Sequence, residues 1–204
     1  MTPTIERIES AGPDRRARRL VFSGFEEPRI TAAAVVKLVN LQAGDEADRA
    51  ELETQLAEHE TACARERALR ILGYRERSSA ELAKRLRDDG YPAGVVGPLV
   101  ERMIELGLVD DARFAASWAR ARFSAGFGPQ RVARELAEKG IADELAANAI
   151  TEAVGDDDQI ERARRLLGST SLETRNERDK AVRKLVRKGF DLRTALKAAE
   201  KPEE

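Results

Sequence analysis

The chain has 204 residues, 36% of them charged and 4% aromatic, with 36 Lys and Arg against 37 Asp and Glu. That length admits one or two ordinary domains or several small units, and a net charge of -1 removes any argument from bulk attraction to a polyanion. One cysteine, Cys63, excludes an internal disulfide and suits a reducing compartment; with no signal-like N-terminus and only a short apolar run, Ala32–Leu41, interrupted by Lys37, the expectation is a cytoplasmic, non-membrane protein.

Ile5–Ile8 and Arg18–Phe22 are short β-capable runs separated by the turn residues Gly12, Pro13 and Asp14, and Arg29–Thr31 is a third. They predict a small hairpin or ribbon, marginal alone and in need of a helical partner. A short helix follows over Ala32–Leu41. Asp48–Tyr74 reads as one long helix or two. Its first part is polar nearly all round, with Leu52 and Leu56 as sparse anchors, and reads as a solvated connector.

From there the pattern repeats. Ser78 and Glu81 make an N-terminal capping pair for a helix over Ser79–Asp89, which ends at Gly90. Pro92 opens the next helix, with Val95, Val96, Leu99, Met103 and Leu106 facing inward, and Gly97-Pro98 predicts a kink or a late start. Asp110 or Asp111 caps a helix whose core face carries Phe114, Trp118 and Ala121. Gly126-Phe127-Gly128-Pro129 breaks it, Gln130–Lys139 follows, and Asp143 caps a helix with Leu145, Ala149 and Ile150 apolar. Gly155–Asp158 breaks again. Ile160–Leu167, Arg175–Lys188 and Leu192–Ala199 then form a third set, and Lys201–Glu204 is an expected frayed tail.

Aligning Gly90, Gly140 and Gly189 exposes the rhythm. Each is followed by an apolar residue (Tyr91, Ile141, Phe190), preceded at four residues by Leu86, Leu136 or Leu185, and at eight by Leu82, Val132 or Ala181. A glycine suits the left-handed position that ends a helix, and the four-residue spacing puts one apolar stripe on one face. The expected fold is mainly α: tandem three-helix repeats in an elongated array that can curve, with an N-terminal β-ribbon and a connecting helix. The expected divisions are 1–64 for the extension, then 65–111, 112–158 and 159–204 for three repeats and the tail.

Catalytic chemistry finds no foothold: no Walker-type loop, no Ser/His/Asp order, no cysteine cluster. His59 and Cys63 stand four residues apart on one helix face, but a structural zinc site wants four ligands and no companion pair exists. Asp110-Asp111 is better read as a helix cap than as an acid–base pair. Neither a cofactor nor a metal is expected.

The basic residues carry more. Arg75 and Arg77 flank a helix end, with Arg70 nearby; Arg120, Arg122, Arg131, Arg134 and Lys139 lie around the break at Gly128; Arg183, Lys184, Arg187 and Lys188 form the densest cluster, in a stretch from Arg175 to Lys197 with nine basic and three acidic residues. The plainer reading is solvated faces with pairs such as Arg131–Glu135 and Arg134–Glu138. Against it, few acidic partners are expected near Arg120, Arg122 and Arg187, so phosphates or acidic loops of a partner are plausible targets. Phe127 is either an exposed loop ring or packed inward; Trp118 is expected in the core.

The middle of the chain resembles the RecX family of bacterial regulatory proteins, modulators of the RecA recombinase. The residues that carry this are Arg75–Leu82 (RERSSAEL), Gly90-Tyr91, Leu106–Asp111 (LGLVDD), Arg113–Ala115, Arg120–Arg122, Gly128–Val132 (GPQRV), Glu135-Leu136 and Lys139–Ile141. They cover Arg65–Ile150, while the third set matches little beyond Gly189-Phe190. The resemblance implies a non-enzymatic, monomeric regulator of tandem three-helix repeats. It would lie in the groove of the RecA–DNA filament and inhibit its ATPase, strand-exchange and co-protease activities, acting in recombination, DNA repair and the SOS response. It would touch DNA non-specifically. Arg120, Arg122, Arg131 and Lys139 are then the first expected contacts, and the Arg183–Lys188 cluster the second. A direct DNA-binding helix-turn-helix module is the rival, though Glu101, Arg102 and Glu105 on its would-be reading helix suit bases poorly; a generic repeat scaffold is the third reading.

Overall fold

The computed structural model describes residues 3–46, 48–155 and 158–200. Part of the expected break at Gly155–Asp158 and all of the expected frayed tail Lys201–Glu204 lie outside those residues. Among the described residues the chain forms three strands, β1 (Ile5–Ala11), β2 (Ala17–Phe22) and β3 (Arg29–Ala32). Ten helices follow: α1 (Ala33–Val39), α2 (Arg49–Leu72), α3 (Ser79–Asp88), α4 (Ala93–Glu105), α5 (Asp111–Ser124), α6 (Pro129–Glu138), α7 (Asp143–Val154), α8 (Gln159–Leu167), α9 (Arg175–Lys188) and α10 (Leu192–Ala198). The fold is thus mainly helical with a small N-terminal sheet. None of the described helices is long and apolar enough to cross a membrane. The chain divides into two compact units, residues 1–110 and 111–204.

In the first unit the strands form an antiparallel sheet in the order β1-β2-β3, with Ala11 opposite Ala17 and Ala17 opposite Ala32. One face turns Ile5, Leu20 and Phe22 into a core shared with α1 to α4. The helical partner the ribbon needs is α2. Here the expectation of a solvated connector fails: α2 is one continuous helix, and Leu52 and Leu56 are 3% and 0% exposed. A buried polar lock fixes its register. Glu60, 1% exposed, accepts from Thr31 Oγ1 at 2.6 Å and from Arg29 Nη2 at 3.0 and 3.2 Å, while Arg29 Nε donates to Glu53 at 2.8 Å. A polar helix can therefore pack inward where its few apolar residues and one paired carboxylate share a face.

The three glycines end their helices in the same way. Gly90, Gly140 and Gly189 have φ of 98°, 73° and 96°. The next amide reaches back across the turn each time: Tyr91 N donates to Leu86 O (3.1 Å), Ile141 N to Leu136 O (3.1 Å), Phe190 N to Leu185 O (3.2 Å). This is the helix-ending pattern that consumes two orphan carbonyls and folds the following apolar side chain onto the helix. Leu82, Leu86, Val132, Leu136 and Leu185 are 0% exposed, and Ala181, Tyr91, Ile141 and Phe190 no more than 5%.

The second unit holds two such cores, one built by α5, α6 and α7 around Phe114, Phe123 and Leu136, the other by α8, α9 and α10 around Leu185 and Phe190. They meet end to end. Gly128 N donates to Lys188 O at 2.8 Å and Gln130 N to Gly189 O at 3.0 Å, so the free amides at the start of α6 are satisfied by the free carbonyls at the end of α9. No side chain fits between: a Cβ on Gly128 would sit 2.4 Å from the Gly189 carbonyl, and one on Gly189 2.3 Å from Arg131 Cβ.

Local expectations shift in four places. α4 starts at Ala93 and carries Pro98 inside it, so there is no late start. Leu106 is the residue that ends α4 and is 53% exposed; Val109, beyond the left-handed Gly107, fills the core place expected of it. On α5 the buried stripe is Phe114, Ala115, Ala119 and Phe123, leaving Ala121 exposed. Asp143 is the first residue of α7 and Ala142 takes the capping position, without a side-chain bond.

Candidate ligand surface of the second unit

The site starts from residue spacing on α5. Phe114, Trp118 and Arg122 follow one another at four-residue steps, one above the next on the helix. Trp118 stacks on Phe114 with centroids 5.9 Å apart at 19°, and the Arg122 guanidinium lies 4.3 Å from the Trp118 ring centroid. The break after α5 turns Phe127 back toward the same side, half-buried, 5.6 Å from the Arg122 guanidinium carbon. α6 then delivers Arg131, 4.2 Å from the Phe127 ring centroid, and the residue ending it, Lys139, places Nζ 4.1 Å from Trp118. The end of α9, held there by the amide–carbonyl exchange at Gly128, brings Lys188 Nζ to 4.6 Å from Phe127.

Four cations therefore gather on two aromatic rings, each within the range where the ring quadrupole attracts a cation. Glu135 ties the set together. It accepts from Arg131 Nε at 3.0 Å and from Trp118 Nε1 at 3.2 Å. Arg122 Nε forms an ion pair at 2.6 Å with Oε2, the same oxygen that accepts from Trp118, while Arg131 takes Oε1. Partial burial pushes the Glu135 carboxyl up, but the Arg131 bond and the Arg122 charge outweigh it, and its pKa falls below the ordinary 4.5. One carboxylate thus orders two guanidiniums without covering their forks.

This places the expected residues in separate groups. Arg122, Arg131, Lys139 and Lys188 come together on the rings. Arg120 and Arg134 do not join them: each is more than half exposed and paired at 3.7 Å, with Glu152 and Glu138. The expectation of few acidic partners near Arg120 and Arg122 is thereby corrected, because the packing of α7 and α6 beside α5 brings Glu152 and Glu135 to them; among the described residues Arg187 is in no ion pair. Arg183, Lys184 and Arg187 lie on another part of α9, lining a groove with α10. Trp118 is only partly buried; it forms the floor of the cluster rather than the middle of the core.

Arg75 and Arg77 belong to the first unit. Arg75 donates to Glu81 at 3.2 and 3.3 Å. Burial, then the Arg75 charge, lowers the Arg77 pKa, and its Nε is buried without a hydrogen-bond partner. Arg16, Arg67, Arg70 and Arg85 line the same hollow beside Tyr74, which is 81% exposed. Sequence reasoning missed Arg16, Arg67 and Arg85 there, and Lys180 in the α9–α10 groove. Nothing in a linear pattern marks Arg16 of the hairpin as a neighbour of Arg77. Lys180, by contrast, had a signal in its four-residue spacing from Lys184.

Among the described residues no three His, Cys, Asp or Glu side chains are grouped to hold a metal ion.

Comparison with known proteins agrees with the architecture. Residues 64–103 match the family model described as the first three-helix domain of RecX, and residues 110–150 the model of its second. A Mycobacterium ulcerans protein named Regulatory protein RecX is 47% identical over 58 residues, 28% of this chain and 34% of its own. A Vibrio cholerae protein of the same name is 44% identical over 59 residues, 29% of this chain and 39% of its own. The matched stretch thus spans about a third of the length of these relatives. Two solved structures share the fold. The crystal structure of regulatory protein RecX has a TM-score of 0.62 at 24% identity, covering 94% of this chain and 96% of that one. That of RecX from Lactobacillus salivarius has 0.62 at 23%, covering 69% and 95%. The chain thus carries, in order, two stretches that match the first and second three-helix domains of RecX, and it shares the fold of the solved RecX structures.

Proposed function

We propose that this chain is a regulatory, non-catalytic protein that binds the RecA–DNA nucleoprotein filament and restrains its ATPase, strand-exchange and co-protease activities. The observation that carries the reading is the cluster of Arg122, Arg131, Lys139 and Lys188 on Trp118 and Phe127. Rings and Glu135 hold the cations in place, so little side-chain entropy is lost when they meet phosphates or acidic loops. Its α5 and α6 residues lie within the stretch similar to the second three-helix domain of RecX, and Lys188 joins them from α9. DNA is contacted through its backbone, without base readout.

The test is charge reversal of Arg131 and Lys188, with Arg120→Glu as the control on a solvated pair. Arg131→Glu with Lys188→Glu should weaken inhibition of the DNA-stimulated RecA ATPase by about tenfold or more, the loss of two charge-assisted contacts. Arg120→Glu should change it little. Unaltered inhibition by the folded double variant removes the cluster from the interface. Equal binding to naked duplex and to filament favours a direct DNA-binding module instead.

A further inference from the structure

The third repeat differs from the first two at one face. Aligned on Gly90, Gly140 and Gly189, the positions of Val182, Val186, Leu192 and Leu196 are occupied by Ala83, Arg87, Ala93 and Gly97 in the first repeat and by Ala133, Ala137, Asp143 and Ala147 in the second. Only the third repeat puts branched apolar side chains at all four. Val182 packs partly on the third core, but packing does not explain the other three: Val186, Leu192 and Leu196 are 43%, 60% and 48% exposed.

The charges change at the same face. Lys180, Arg183, Lys184 and Arg187 correspond to Glu81, Lys84, Arg85 and Asp88, and to Arg131, Arg134, Glu135 and Glu138. The earlier repeats balance two acids against two bases and pair them, as in Lys84–Asp88 at 2.6 Å and Arg131–Glu135 at 3.0 Å. The third repeat has four bases. Among the described residues none of the four is in an ion pair, not even with Asp179 on the same helix; Lys184 Nζ reaches the Leu166 carbonyl at 3.4 Å. The four cations line an open groove of about 770 Å³ between α9 and α10, walled by Val182, Val186 and Leu192.

We propose that this groove docks an acidic segment of a partner protein, one that carries apolar side chains among its carboxylates. Branched aliphatics would seat the apolar side chains, and the rim of four cations would meet the acids. Nucleic acid fits less well: the lining has no aromatic ring to stack a base and spends its area on apolar surface that phosphates do not use. A second copy meeting the same face about a two-fold axis would set four cations against four. The site is separate from the ring cluster, so it does not depend on the filament reading.

The full chain would be titrated into a short fluorescein-labelled peptide of Asp and Glu interrupted by Leu and Phe. The comparators are the same peptide with Ser in place of Leu and Phe, and labelled oligo-dT. The variant is Val186→Ser with Leu192→Ser, whose exposed side chains leave the core intact, with thermal melting as the check on folding. The acidic–apolar peptide should bind, the Ser peptide should bind about tenfold more weakly, and the variant should lose a similar factor. Oligo-dT binding and ATPase inhibition should be the same for variant and parent. Equal binding of the two peptides, an unaltered affinity in the variant, absence of peptide binding, or a loss of oligo-dT binding in the variant each overturns the proposal.

Discussion

Glu135 shows how one side chain can serve packing and electrostatics together. Its folded pKa is lowered, so its contribution to stability is fully present above the ordinary carboxylate value and is lost as pH falls through the folded one. Trp118 is the single tryptophan of the chain and donates to this carboxylate. Its emission should therefore change in a titration centred below pH 4.5, and Glu135→Gln should remove that titration while the main acid unfolding remains; an unaltered curve in the variant would remove Glu135 as its source. The helix-spaced pairs around it, Arg131–Glu135 and Arg134–Glu138, were legible from spacing alone. The bond from Trp118 was not, because it joins two helices whose relative rotation no local pattern states.

At the scale of elements, the glycine rhythm was readable because physics allows few residues at a left-handed helix end, and an apolar side chain must then fold back. What the rhythm could not state was where those ends point. Gly107 has φ of 67° with open space where a Cβ would sit, whereas Gly189 has φ of 96° and faces Arg131. Ala at Gly107 should cost about 1 kcal/mol of backbone strain. Ala at Gly189 adds a clash with the backbone of α6 and should lower the melting temperature clearly more; equal shifts would mean that the α6–α9 junction is looser than described. The capping box of α9, Thr174 with Glu177, follows the sequence signature and went unread within a charge-dense stretch. Thr174→Ala should cost about 1 kcal/mol in denaturant melts; no change would show that the α9 end is frayed in solution. Polarity nearly all round α2 does not mean exposure, because Leu52, Leu56 and the paired Glu60 suffice to bury one face.

For the whole molecule, the two units carry separate cores, and perturbing one should spare the other. Glu60→Ala leaves Arg29 and Thr31 without their buried acceptor, at a cost of about 3–5 kcal/mol. Hydrogen exchange should then lose protection across β2, β3 and α2 while α5 to α10 exchange as before; equal loss throughout would show one cooperative body. The repeat architecture was accessible from sequence because it rests on local spacing, and the resemblance to RecX because it rests on short motifs such as Gly128–Val132. The cation–ring cluster was accessible only as a list of basic residues, since Lys188 and Phe127 are brought together where the end of α9 meets the start of α6.

The filament reading is tested most directly by titrating this chain into a RecA filament on single-stranded DNA at fixed salt and following the DNA-stimulated ATPase. Inhibition at well below one chain per RecA monomer, relieved by reversing Arg131 and Lys188, is the predicted result. An ATPase rate that stays constant through stoichiometric addition of the folded chain would contradict it.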